Sequence, residues 1–119
     1  MSAGRPESLS AVTIGVTDMA VSCAFYDALG FETVHGGAGT PFTSYAVGSG
    51  FLNLQLVPRT EVGWGRFIVH VDDVDAMHDR AVRAGFAPTM PPSDAPWGER
   101  YFHIDDPDGH EVSFARPLH

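Results

Sequence analysis

The sequence predicts an α+β fold built from two tandem βαβββ modules. Three observations carry that prediction: an internal repeat, a change of apolar spacing inside each repeat unit, and turn residues at regular intervals after it. The repeat is "IGVTDMAVSCAFYDALGF" (Ile14 to Phe31) against "VHVDDVDAMHDRAVRAGF" (Val69 to Phe86), which align without a gap. At 119 residues the chain is the size of one small domain. With 44% hydrophobic residues it can bury an ordinary core. The modules are expected over residues 9–57 and 66–116, joined by a linker at 58–65, "PRTEVGWG".

Each unit opens with apolar residues at alternate positions, ending in Val16 or Val71, as a half-buried strand requires. Asp18 and Asp73 follow where an N-cap belongs, with an oxygen to accept an orphan backbone N–H. Two amphipathic helices come next. Val21, Phe25, Ala28 and Leu29 share one face of the first; Val74, Met77, Ala81 and Ala84 form the matching face of the second. Gly30 and Gly85 stop them, because glycine enters the left-handed C′ conformation without a Cβ penalty. Three short strands are expected after each helix, at 32–36, 43–48 and 51–57, then at 87–90, 99–105 and 110–116. "HGGAGTPF", "GSG" and "DPDG" supply the turns.

Composition excludes several function classes. Fifteen acidic residues against seven basic ones give a net charge of −8, a poor surface for nucleic acid. The same field draws cationic small molecules. All of the basic residues are arginines. No apolar run approaches the roughly 18 residues of a membrane span, and the start, "MSAGRPESLS", lacks the apolar stretch of a signal peptide. Cys23 stands alone, which excludes an internal disulfide and agrees with a reducing compartment. A cytoplasmic protein is expected.

The duplicated plan, "FYDALGF" and above all "WGERYFHIDDPDG" (Trp97 to Gly109) resemble the vicinal oxygen chelate superfamily. That group includes glyoxalase I, extradiol dioxygenases, fosfomycin-resistance enzymes and bleomycin-resistance proteins. The resemblance covers about residues 9–116. It implies that each module curls its mixed sheet around a cleft with its helix on the convex face. It also implies a homodimer, with pockets between modules of the two chains.

The resemblance further implies where a metal would be held: near the start of each module's first strand and on each module's last strand. Those positions fall on Ala11, Arg66 and Ser113, with Asn53 and Gln55 the cleft-facing groups of the remaining strand. Alanine cannot ligate, a guanidinium has no free lone pair, and serine and amide oxygens are weak neutral ligands. No metal and no cofactor are therefore expected. Strand alternation allows a displaced set of His70, His103 and Glu111 in the cleft, and two histidines with a carboxylate form an accepted metal set. Without a fixed spacing such as H-x-x-x-H, these residues read as a polar lining. His35, His78, His110 and His119 read as surface or turn residues. The aspartates of "HIDDPDGHE" read as turn chemistry, since Asp bonds nearby amides, proline presets φ and glycine permits positive φ. Cys23 is expected on the helix face opposite Val21 and Phe25, with no histidine beside it for nucleophilic work.

What remains is a recognition surface. Trp64 and Trp97 each precede a glycine in a loop entering a module-two strand, and an indole offers a stacking face for a planar or cationic ligand. Asn53, Gln55, Arg66, His70, Tyr101, His103, Glu111 and Ser113 would supply directional contacts around it. The resulting expectation is metal-independent sequestration of an aromatic or cationic molecule, closest to the bleomycin-resistance branch. The alternatives are a glyoxalase- or dioxygenase-like enzyme with the displaced metal set, and a metal-free enzyme with His70 or His103 as general base.

Overall fold

A computed structural model describes residues 4–119. Module one runs β1 (Ala11–Val16), α1 (Met19–Ala28), β2 (Glu32–His35), β3 (Phe42–Val47) and β4 (Gly50–Leu56). Module two repeats it as β5 (Arg66–His70), α2 (Val74–Arg83), β6 (Ser93–Ala95), β7 (Glu99–Asp105) and β8 (Glu111–Pro117). Each module forms a four-stranded mixed sheet, ordered β1-β4-β3-β2 and β5-β8-β7-β6. The first and last strands of each module pair in parallel and the other pairs are antiparallel. A parallel pair needs a long crossover, which the helix and the following hairpin provide.

Both helices start as the sequence predicts. Asp18 Oδ1 accepts from Val21 N at 3.1 Å, and Asp73 Oδ1 accepts from Ala76 N at 3.0 Å. Helix α1 carries no basic residue in its own last turn. Arg80 of α2 donates from Nε to the Ala28 carbonyl at 2.8 Å, so the second helix caps the first.

Two expected faces shift. Val21 is 50% exposed, while Met19, Ser22, Cys23, Phe25 and Tyr26 are buried. The face turns because the Tyr26 hydroxyl finds the Asp106 carboxylate at 2.8 Å, which lets a polar-tipped ring enter the core. Cys23 is carried inward with it, so its thiol is buried rather than facing away. On α2, Val74 and Ala81 are buried, but Ala84 is the exposed C-cap. The expected strand at 87–90 does not form, and its place is taken by Ser93–Ala95. Pro88, Pro91 and Pro92 cannot donate to a ladder. Thr89 still reaches across, donating from N and from Oγ1 to the His103 carbonyl at 3.0 and 3.1 Å.

Apolar side chains from both modules merge into one core, including Ile14, Tyr26 and Leu54 from the first and Phe102, Ile104 and Phe114 from the second. The helices pack on one face of the sheets, leaving the opposite faces open. The Asp-Pro-Asp-Gly turn fastens the modules together. Asp106 Oδ1 accepts from the amides of Asp108 and His110 at 3.1 and 2.9 Å, the turn chemistry expected of it. Asp108 takes the Thr17 hydroxyl at 2.6 Å, beside the start of α1.

His110 departs from expectation. It is only 2% exposed, not a surface residue. Its Nε2 lies 2.8 Å from the Gly15 carbonyl, and its Nδ1 accepts from Trp64 Nε1 at 2.9 Å. A carbonyl only accepts and an indole N–H only donates, so the ring is neutral with its hydrogen on Nε2. Gly15 leaves room for this junction: a Cβ there would come within 2.9 Å of Thr60 Oγ1 and Val57 Cγ2.

Candidate functional site

Strand alternation builds the site on the open face of module two. Phe67, Phe102, Ile104, Val112 and Phe114 turn into the core, so their neighbours in each strand point the other way. Register sets Arg66 opposite Glu111, Ile68 opposite Ser113, and Ser113 opposite His103. Serine therefore sits mid-sheet between an apolar and an imidazole neighbour. A cleft of about 400 Å³ opens over them, walled by Arg66, Ile68, Glu99, Tyr101 and His103, with Trp97 at its mouth.

An aromatic row forms one wall. The Trp97 and Tyr101 rings are 5.7 Å apart with an interplanar angle of 34°, and Tyr101 and His103 are 5.1 Å apart. Trp97 is held on a tight turn in which Gly98 N donates to Ala95 O and Gly98 has φ +91°. Its indole is 69% exposed. Trp97 Nε1 donates to Glu99 Oε1 at 3.2 Å, and Glu99 Oε2 lies 3.4 Å from His70 Nε2.

The opposite wall is charged. Arg66 Nε donates to Glu111 Oε2 at 2.9 Å. His103 Nδ1 is buried and has no hydrogen-bond partner among the described residues. Burial holds the His103 imidazole below its ordinary value; nearby Glu111 opposes the shift and Arg66 adds to it.

Of the sequence-predicted residues, Arg66, Trp97, Tyr101, His103 and Ser113 line this cleft. Glu111 supports it by holding Arg66, and His70 stands at its rim through Glu99. Asn53 and Gln55 lie on the other sheet. There Asn53 accepts from Ser44 Oγ at 2.7 Å and donates to Thr13 Oγ1 at 3.2 Å. Trp64 is drawn to His110 and does not line the cleft. Glu99 was not singled out from the sequence, and Ile68, placed by strand alternation on the face of Arg66 and His70, was given no role. The signal was available, since Glu99 has the same strand parity as Tyr101 and His103, and Ile68 lies between Arg66 and His70.

The residues do not fit a metal. Ala11, Arg66 and Ser113 stand where ligands are implied, and the Arg66 guanidinium brings a fixed positive charge. The displaced set is not assembled either. Glu111 is turned to Arg66 and His70 to Glu99, and no group of three His, Cys, Asp or Glu among the described residues is placed to share an ion.

A second open feature lies at the seam between the sheets. Leu9, Val12 and Phe51 of module one meet Phe67 and Ile68 of module two around an apolar groove of about 200 Å³. Strands β1 and β5 border it as the free edges of their sheets.

The family model described as Glyoxalase/Bleomycin resistance protein/Dioxygenase superfamily matches residues 8–114. The chain belongs to this superfamily. Solved structures agree on the fold of this superfamily member. A lactoylglutathione lyase from Agrobacterium tumefaciens is 24% identical, with 93% of this chain and 94% of that one covered and a TM-score of 0.76. A bleomycin resistance determinant encoded on the transposon Tn5 is 21% identical, with 93% and 98% covered and a TM-score of 0.76. A glyoxalase-related enzyme from Fulvimarina pelagi is 23% identical, with 92% and 88% covered and the same TM-score. No curated protein matches the chain. No helix among the described residues is long and apolar enough to cross a membrane.

Proposed function

We propose that this superfamily member binds a planar aromatic molecule in the module-two cleft and sequesters it without a metal, in the manner of a resistance protein. One observation carries the reading. Arginine and serine occupy the implied metal positions, and beside them an aromatic row ends in a mostly exposed indole. An exposed tryptophan tilted against a neighbouring ring is a poor core residue and a good lid for a flat ligand. A second copy of the chain would complete the cleft. The exposed Phe51 and Ile68 on the open sheet faces, and the free edges of β1 and β5, are the surfaces such a partner would cover. The free, buried thiol of Cys23 suits the reducing cytoplasm in which we place it.

The test is a titration with an aromatic probe followed by calorimetry, with Trp97 emission as a second signal in the wild type. Trp97→Ala should weaken binding by about 1–3 kcal/mol, the range for a stacking side chain at a desolvated site, while the melting temperature holds. Unchanged affinity with a lowered melting temperature would make Trp97 scaffold and remove the main support for this reading. A second reading has one observation in its favour: burial favours the neutral imidazole of the cleft-lining His103, the form that general-base work in a metal-free enzyme needs. Probe turnover that persists in chelator and is lost in His103→Gln would select it.

A further inference from the structure

We infer that Arg66 selects the ligand of this cleft, its guanidinium taking a carboxylate or similar planar oxyanion carried by the bound aromatic molecule. This rests on the binding reading above and narrows it to a chemical class.

Two arginines of the same sheet make the contrast. Arg100 is engaged on all three of its nitrogens: Nε and one terminal nitrogen hold Asp75, and the other terminal nitrogen holds Asp94, each at 2.9 Å. That is a structural arginine tying α2 and β6 to β7. Arg66 uses Nε alone, on Glu111. A guanidinium carries five N–H donors in a rigid fork. Among the described residues its two terminal nitrogens donate to nothing, and the side chain is 48% exposed at the wall of the cleft. The Glu111 bond fixes its orientation while leaving the bidentate edge free.

The neighbours favour an acceptor. Ser113 offers a hydroxyl, and the buried His103 Nδ1 has no partner. An oxyanion can accept from the guanidinium and from the serine O–H. An ammonium would meet a fixed cation instead. Its natural counter-charge, Glu99, already has both oxygens engaged, on Trp97 and His70. The net charge of −8 does not decide the matter, because charges beyond a Debye length of about 8 Å are screened at physiological salt. Nearby Glu99 and Glu111 do oppose an anion, so the expected selectivity is only about tenfold, well below what an unopposed bidentate pair gives. Arg66 therefore supplies by hydrogen bonding the positive charge that a metal would supply at this position.

The experiment compares 2-naphthoate, 2-naphthamide and 2-naphthylmethylammonium, which share one ring system and so hold stacking constant. Each is titrated by calorimetry and tryptophan emission into the wild-type chain, R66Q and the double variant R66Q/E111Q. The double variant avoids stranding Glu111 without its partner, and melting temperatures confirm that each variant folds. Wild type should bind naphthoate about tenfold more tightly than the other two, and both variants should remove that preference. Equal binding of all three by wild type, or tightest binding of the ammonium, overturns the role of Arg66 while leaving a binding cleft in place. No response to any of the three removes the binding reading and this inference with it.

Discussion

His110 offers the sharpest test of how the modules are joined. Its ring links the Gly15 carbonyl on β1 to the Trp64 indole of the linker, from the position just before β8. His110→Ala removes both hydrogen bonds, each worth about 1 kcal/mol net, and leaves the Gly15 carbonyl without that donor. It also empties the volume of an imidazole that is 2% exposed, adding on the order of 1 kcal/mol for the cavity. The expected loss is about 3 kcal/mol, or about 12 °C in melting temperature at roughly 4 °C per kcal/mol for a domain of this size. His110→Gln should lose less, because its amide can donate to Gly15 and accept from Trp64. The chain has two tryptophans, so Trp97→Phe leaves Trp64 as the sole reporter. In that background His110→Ala should alter the native emission, because the indole loses its hydrogen-bond acceptor. Urea denaturation of the three variants measures the rest. A cost for His110→Ala below about 0.5 kcal/mol, the usual range of a surface change, would refute the junction argument.

Asp106 and His103 give pH tests with opposite signs. Burial raises Asp106 above its ordinary value of 3.8, against the pull of Tyr26 and the His110 amide. Its folded state therefore holds a proton more tightly, and that stabilisation is lost as pH rises from about 3.8 through the folded value. Asp106→Asn should abolish this dependence at small cost, whereas Asp106→Ala should cost about 3 kcal/mol by leaving the Tyr26 hydroxyl and two amides unpaired; melting curves across the acid range check both. His103 is held below 6.5, so its contribution is present above 6.5 and lost as pH falls through the folded value. His103→Gln should flatten stability in that window, and an unchanged profile would place the titration elsewhere. Light scattering should find two chain masses, and Ile68→Asp should shift the population towards one by placing a charge on the exposed apolar face. A monomeric wild type at micromolar concentration would sink the shared-cleft proposal.

The two-module plan, the N-caps at Asp18 and Asp73, and the parity of the module-two strands were legible in the residues alone. These depend on short-range rules: a spacing of two along a strand, a side-chain oxygen at a helix start, a glycine at its end. That parity was enough to bring Arg66, Tyr101, His103 and Ser113 to one face before any fold was known. Tertiary structure decided everything that depends on which polar groups meet across the chain. Tyr26 is buried because Asp106, far along the chain, takes its hydroxyl. His110 and Trp64, read from the sequence as a turn residue and a pocket residue, instead join the modules, because a long-range carbonyl and an indole N–H converge on one imidazole. Glu99 gains its place by bridging Trp97 and His70, and Glu111 leaves the candidate metal set by turning to Arg66. Backbone periodicity fixes which way a side chain points, but a polar side chain's role depends on its partner, and the partners here come from other elements of the fold.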